Sequence, residues 1–304
     1  MLLLSQDKKD RLMIIGICGA GTMGASIAQA CLQAGFAVVL YDTVEAARQK
    51  AERFIAETLE KASQKGIISA ETRSKASQNL TLSANLDALR SCAIVIEAII
   101  EDNDAKRNLY HALEQVLPTS AIVASNTSSI SITALAASLQ HPERFAGLHF
   151  FNPAHIMKLV EVVSGMKTAP ATIEALVALT ENLGKTAVEA KDVPGFIVNR
   201  VARNYYLEAM RIVMEGGATI PQVDALMRSA GFKMGPFELV DLIGVDVNYA
   251  VTLSVWEQYF REPRFAPALL QKEYVDAGLH GRKTGEGFYK YDANGQKIVS
   301  ESEQ

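Results

Sequence analysis

The chain has 304 residues, 49% of them apolar, and a formal charge of −4 with no long basic run. That length accommodates two domains with a substantial core, and the charge argues against nucleic acid and anionic membrane surfaces as partners. Cys18, Cys31 and Cys92 fit no metal-ligand spacing and read as buried, reduced thiols of a cytoplasmic protein. No stretch approaches a membrane span, and the opening MLLLSQDKKDRLM lacks the order of a secretory signal.

Met13 to Cys18 is an apolar strand, followed by Gly19, Gly21 and Gly24 in GxGxxG register and a helix-prone run, Ala25 to Ala34. Strand, glycine turn and helix are the context of a dinucleotide site, with pyrophosphate on the helix N-terminus. Phe36 to Tyr41 is a second buried strand, ending at Asp42. A carboxylate about 20 residues past the glycines suits a ribose and repels a 2′-phosphate, which favours NAD over NADP. Arg48 reads as lying on a solvated helix face.

Val44 to about Gly66 is helical in pattern, with Phe54, Ile55, Leu59 and Ala62 on one stripe, and Ser69 caps a further helix. Strands follow at Leu80–Leu82, Ala93–Ile99 and Ile122–Ala124, with helices at Asp104–Leu117 and Ile132–Leu139. The polar run Ser125 to Ser129 stands at a strand's carboxyl end, where an open α/β sheet forms its ligand crevice. Gly147–Phe151, Leu159–Val163 and Thr186–Glu189 are strands, and Ala171–Leu183 is a helix. The fold class is α/β: a Rossmann-like, doubly wound, mainly parallel sheet over residues 1–192, then a smaller all-α domain over 193–304. In that domain Ile197, Val201, Tyr205, Ile212 and Val213 are assigned to the inner face of a long helix. Thr219-Pro221, Gly235-Pro236 and Gly244 punctuate later helices, and Gly287 to Tyr291 reads as a strand before a turn at Asn294-Gly295.

His149 ends a strand, and Glu161 alternates with apolar neighbours on the next. An imidazole oriented by a carboxylate is an acid–base unit; a self-satisfied core pair is the competing reading. His155 reads as a loop residue and Lys185 as a turn residue. His111, His141 and His280 fit surface or capping roles. The spacing of His149, His155 and Glu161 matches no familiar metal site, so no metal is assigned.

The stretches GICGAGTMGASIAQACLQAG, VIEAIIED, SNTSSISIT, RFAGLHFFNPAHIMKLVEVV, KDVPGFIVNR and GRKTGEGFYKY resemble the 3-hydroxyacyl-CoA dehydrogenases, of the 3-hydroxybutyryl-CoA dehydrogenase type. The resemblance implies a catalytic set of Ser128, His149, Glu161 and Asn199, with His149 as general base and Glu161 orienting it. It implies NAD contacts from Gly19, Ala20, Gly21, Thr22, Met23 and Gly24, and from Asp42, Glu101, Lys106, Ser128, Asn152 and Lys283. Thr58, Lys65 and Ser128 would touch coenzyme A, and the helical domain would form a homodimer. The chain departs from the family pattern with Thr58 for Ser, with Gly66-Ile67 where a basic residue is frequent, and with Ala154-His155 for Val-Pro. The implied activity is interconversion of 3-hydroxyacyl-CoA and 3-oxoacyl-CoA, in fatty acid or related metabolism. Alternatives are a dehydrogenase of free 3-hydroxy acids, resembling gulonate dehydrogenase and lambda-crystallin, and a non-catalytic NAD-binding protein.

Overall fold

A computed structural model of the chain describes residues 13–298; the reading of the opening run lies outside them. The chain divides into two compact units between Val193 and Pro194. In the first, eight strands form one sheet: β1 (Ile14–Cys18), β2 (Ala37–Tyr41), β3 (Leu80–Ser83), β4 (Ile94–Glu97), β5 (Ile122–Ser125), β6 (Phe145–Phe150), β7 (Leu159–Ser164) and β8 (Thr186–Lys191). Their order is β3-β2-β1-β4-β5-β6-β7-β8. Neighbours run parallel except β6 and β7. The central strands are buried on both faces, as their unbroken apolar runs require.

Helices α1 (Thr22–Gln33), α2 (Glu45–Gln64), α3 (Ala70–Gln78), α4 (Asn103–Val116), α5 (Ile132–Ala136) and α6 (Pro170–Asn182) connect these strands. Ile55, Leu59 and Ala62 bury the inner stripe of α2, and the Ser69 hydroxyl caps α3 by accepting the Thr72 amide. The chain leaves β1 toward β2 on one side and returns to β4 on the other. Strand order therefore reverses at β1, and the crevice of such a sheet opens at the carboxyl ends of β1 and β4.

The second unit holds α7 (Val198–Met214), α8 (Ile220–Ser229), α9 (Pro236–Ile243), α10 (Val245–Gln258) and α11 (Leu269–Asp276). The assigned inner face of α7 needs correction. Val201 is 65% exposed and Ile197 40%, while Arg203, Tyr206, Leu207, Ala209 and Met210 are buried; Tyr205, Ile212 and Val213 pack only partly. Two sides of this helix are apolar, so periodicity alone does not select the one that meets the core. Among the described residues no single helix is long and apolar enough to cross a membrane.

The strand expected at Gly287 to Tyr291 is also absent; only isolated bridges form there. The Phe288 and Tyr289 amides donate to Asp241 Oδ1 and Oδ2, each at 2.9 Å, and the Tyr291 hydroxyl donates to Oδ2. Asp224 accepts the Phe237 and Glu238 amides and the Tyr289 hydroxyl. A side-chain carboxylate thus replaces the ladder partner. Glycine is required opposite it: a Cβ on Gly287 would lie 2.2 Å from Asp241 Oδ1. The expected turn does form, with the Asp292 carboxylate accepting the Asn294 and Gln296 amides.

Burial pushes the Asp224 and Asp241 carboxyl pKa values up. The folded state then holds protons that the unfolded chain has released, so this pair's contribution is full below the ordinary carboxylate pKa and declines as pH rises through the raised folded values. Replacing Asp241 with Ala leaves three buried donors without an acceptor and is expected to cost about 3 kcal/mol. A urea titration followed by tyrosine fluorescence measures it; a change under about 0.5 kcal/mol contradicts the role.

Candidate active site at the carboxyl edge of the sheet

The β1–α1 turn is shaped by what its glycines exclude. Gly19 has φ +103°, and a Cβ there would lie 2.5 Å from Ala98 O. A Cβ on Gly24 would stand 1.8 Å from Gly19 O, so only glycine lets α1 pack this close to the turn. A Cβ on Gly21 would meet nothing within 4 Å. Gly21 is the N-cap of α1 and no side chain caps it, so the amides of Thr22 and Met23 begin the helix beside open space. That is a cradle for a diphosphate. Asp42 sits at the end of β2, its Oδ2 accepting the Ala20 amide at 2.7 Å and its Oδ1 the Val44 amide at 2.8 Å. Each oxygen keeps a lone pair for a ribose hydroxyl. The residues present therefore fit a dinucleotide. Arg48 is not on a solvated face; it is half-buried and donates to the Asp42 carbonyl.

The next strand ends carry a buried ionic network. Glu97, fully buried at the end of β4, accepts from the Ile99 amide, Lys106 Nζ (2.6 Å), the Tyr110 hydroxyl and the Ser125 hydroxyl (2.7 Å). Lys106 is 1% exposed and also reaches Glu101 Oε2 at 3.1 Å. Glu101 Oε1 in turn accepts from the Thr127 hydroxyl, the Ser128 amide and the Ser129 hydroxyl. Burial acts to raise the Glu101 pKa, but Lys106 and the Thr127 hydroxyl outweigh it and hold it below the usual range. The ammonium of Lys106 therefore lies beneath this loop, while Glu101 and half-buried Ser128 form its upper layer. Glu97 escaped the sequence reading. Its signal was an acid in an apolar strand with Lys106 and Tyr110 one helical turn apart downstream.

His149 on β6 and Glu161 on β7 are direct register partners. Nδ1 of His149 lies 2.7 Å from Glu161 Oε2, with His149 6% exposed and Glu161 fully buried. With Glu161 as an ionised carboxylate, which only accepts, Nδ1 is the donor of this bond and Nε2 carries the ring's lone pair. The His149 ring tilts against Phe151 at 4.6 Å between centroids. Asn126 Oδ1 accepts the Phe150 amide and ties the β5 loop to this strand.

The connection from β6 to β7 is more firmly held than a loop reading implies. Asn152 is exposed on it. His155 is half-buried: Ser26 Oγ on α1 lies 2.8 Å from its Nδ1 and accepts its amide, and Phe54 meets the ring edge-on. Burial and Lys185 push its pKa down. Lys185 is no simple turn residue either. It is buried, and its ammonium donates to the Ala154 and Met157 carbonyls at 2.5 and 2.8 Å.

Thr58 directs its hydroxyl to Gln29 Oε1 and to the Phe54 carbonyl between α1 and α2, and Lys65 is exposed at the end of α2. Asn199 and Lys283 belong to the second unit. Asn199 lies half-buried in the first turn of α7, its carbonyl accepting from Arg203; Lys283 pairs with Asp246. His111, His141 and His280 stand near Glu114, Glu143 and Asp246. The three cysteines are buried free thiols.

Residues 14–193 match the family model described as 3-hydroxyacyl-CoA dehydrogenase, NAD binding domain, and residues 195–291 match that of the same family's C-terminal domain. The chain is 46% identical over 286 residues to 3-hydroxyadipyl-CoA dehydrogenase of Escherichia coli, covering 94% of this chain and 60% of that protein. It therefore spans about 60% of the length of that relative. It is 40% identical over 278 residues to 3-hydroxybutyryl-CoA dehydrogenase of Bradyrhizobium diazoefficiens, covering 91% and 94% of the two chains. Among solved structures, (S)-3-hydroxybutyryl-CoA dehydrogenase from Ralstonia eutropha superposes with a TM-score of 0.89 at 39% identity, over 93% of this chain and 100% of that one.

The Glu97–Lys106 pair yields a stability prediction. Glu97→Gln leaves the buried Lys106 ammonium with only Glu101, at 3.1 Å, as a carboxylate partner and is expected to cost about 3 kcal/mol. The double variant Glu97→Gln/Lys106→Met removes both charges and is expected to recover at least half of that loss. Urea unfolding of the set measures the coupling; additive losses contradict the pairing.

Proposed function

The chain belongs to the 3-hydroxyacyl-CoA dehydrogenase family, its first unit being that family's NAD-binding domain, and on that footing we propose that it is an NAD-dependent (S)-3-hydroxyacyl-CoA dehydrogenase. The observation that carries the reading is the buried His149–Glu161 pair, 2.7 Å apart at the carboxyl edge of the sheet. The glycine turn, the α1 amides and Asp42 would hold the dinucleotide, with Glu101, Ser128, Asn152 and Lys283 as further contacts and Lys106, buried at 1% exposure, acting through its pair with Glu101. NAD held there would supply the hydride acceptor for C3 of the substrate. His149 Nε2 takes the proton of the 3-hydroxyl group and returns it in the reverse direction. Glu161, already hydrogen-bonded to Nδ1, stabilises the imidazolium that results. Ser128 and Asn199 hydrogen-bond the substrate oxygens and steady charge developing on them.

Thr58 and Lys65 are assigned to coenzyme A, and the Thr58 hydroxyl keeps acceptor lone pairs for that contact while donating inward. The relatives' names point to 3-hydroxybutyryl and 3-hydroxyadipyl thioesters as substrates of this kind. We assign the second unit to dimerisation; the exposed apolar residues Val201, Leu226 and Leu269 support it. Three buried free thiols fit a reducing compartment such as the cytoplasm.

NADH oxidation with acetoacetyl-CoA, set against free acetoacetate, tests the proposal: turnover of the thioester alone is expected, and turnover of the free acid alone refutes it. His149→Gln is expected to lower turnover by roughly 10²- to 10⁴-fold with folding intact; near-normal turnover removes His149 from the acid–base role. Asp42→Ala is expected to narrow the preference for NADH over NADPH, and unchanged kinetics with both cofactors count against the ribose contact.

A further inference from the structure

A second imidazole is held at the carboxyl edge of the first unit, in the connection that follows the His149 strand, and the reaction above does not use it. Ser26 on α1 is 1% exposed, and its hydroxyl meets only His155 among the described residues. It accepts the His155 amide at 3.1 Å and lies 2.8 Å from Nδ1. A buried hydroxyl proton needs an acceptor, and Nδ1 is the one in reach. The hydroxyl therefore donates to Nδ1, and the ring's own proton is on Nε2. Burial, and then Lys185, push the His155 pKa down, so the ring is neutral at neutral pH.

Nε2 makes no hydrogen bond among the described residues and is not one of their buried, unpartnered atoms. Its N–H is thus a donor open to solvent. The ring that carries it is fixed: Phe54 on α2 meets it edge-on, and the Lys185 ammonium binds the Ala154 and Met157 carbonyls on either side of His155. The seam between α1 and α2 holds a complementary group. Thr58 Oγ1 gives its proton inward, toward Gln29 Oε1 at 2.8 Å and the Phe54 carbonyl at 2.6 Å, so that only acceptor lone pairs remain. Ser26 and Gln29 are neighbours on one face of α1, as Phe54 and Thr58 are on α2. Ser26 and Phe54 touch His155, which therefore lies one helical turn, about 5 Å, from Thr58 along the seam.

A neutral donor and a neutral acceptor side by side suit a chain of amides, which offers C=O and N–H groups in turn; a phosphate calls for a cation instead. In coenzyme A the amides belong to the pantetheine arm. We propose that the Nε2–H of His155 donates to an amide carbonyl of that arm, which makes His155 a substrate-binding residue for the thioester. This rests on the dehydrogenase reading above and on its assignment of Thr58 to coenzyme A. The contact holds the arm on the short connection that leads away from His149, and so helps to fix where the acyl group lies.

The test compares NADH oxidation by the full chain with acetoacetyl-CoA and with S-ethyl acetothioacetate, a thioester without amides. His155→Leu is expected to lower kcat/KM for acetoacetyl-CoA on the order of 10-fold, through KM, as for loss of one neutral hydrogen bond. It is expected to leave unchanged both the amide-free thioester's kcat/KM and the NADH dissociation constant, read by NADH fluorescence. His155→Gln, which keeps an N–H of similar reach, is expected to recover part of the loss. Equal losses on the two thioesters, or a weakened NADH complex, mark a structural histidine acting through Ser26 and α1 and overturn the proposal. An unchanged KM for acetoacetyl-CoA also overturns it, while leaving the dehydrogenase reading standing. Failure of the wild-type protein to turn over either thioester overturns both. Where only the amide-free thioester is too slow to measure, the NADH dissociation constant serves as the structural control. Should His155→Leu not fold, the wild-type protein decides. Coenzyme A is expected to slow carbethoxylation of His155 by diethyl pyrocarbonate, read by peptide mass, and to leave exposed His111 unaffected. An unchanged rate at His155 overturns the assignment.

Discussion

Carboxylates taken out of water must have their oxygens filled, and in this chain that requirement joins segments far apart in sequence. Glu97, Glu161, Asp224 and Asp241 are all essentially inaccessible. Glu97 binds the head of α4 to the ends of β4 and β5, and so supports the loop that carries Glu101 and Ser128. Glu161 fixes the ring of His149. Asp224 and Asp241 gather the Gly287–Tyr291 segment onto α8 and α9. Half-buried Asp192 does the same at the end of the first unit, accepting the Ser131 hydroxyl and the Ile132 and Thr133 amides at the start of α5. The apolar core gives each unit its bulk, but these acids determine where its irregular segments lie.

The pairing of β6 with β7 shows how connection length shapes the site. Only Phe151 to Lys158 separates the two strands, too short a stretch for the crossover that parallel neighbours need. The strands must therefore run antiparallel, and antiparallel strands place residues directly opposite each other. His149 and Glu161 are such a pair. The one reversal in the sheet is thus what sets an imidazole against a carboxylate.

Where structure follows from neighbours in sequence, the chain could be read directly. The β1–α1 turn, Asp42 at the end of β2, the Ser69 cap and the strand placement of His149 and Glu161 all depend on local pattern. What depended on distant partners was not legible. The inner face of α7 is chosen by helices much later in the chain, and the amides of Phe288 and Tyr289 are claimed by Asp241, almost 50 residues earlier. His155 does lie in the β6–β7 loop, but its half-burial was not legible because Ser26, its anchor, lies 129 positions away. Glu97 was legible in principle, since the reasoning that an acid on a buried strand needs partners applied to it as well as to Glu161.

The Gly287–Tyr291 segment also bears on how the protein is made. Helices α8 and α9 carry Asp224 and Asp241; the donors of Asp241 arrive with Phe288, Tyr289 and Tyr291, and the third donor of Asp224 with Tyr289. On the ribosome those helices emerge several seconds before the segment does, at synthesis rates of roughly 5–20 residues per second. During that interval Asp241 lacks the donors that fill it in the folded unit, and Phe288, Tyr289 and Tyr291 are missing from the core. The second unit therefore closes only after Tyr291 has left the exit tunnel, whereas the sheet of the first unit, complete at β8, has its whole sequence available earlier.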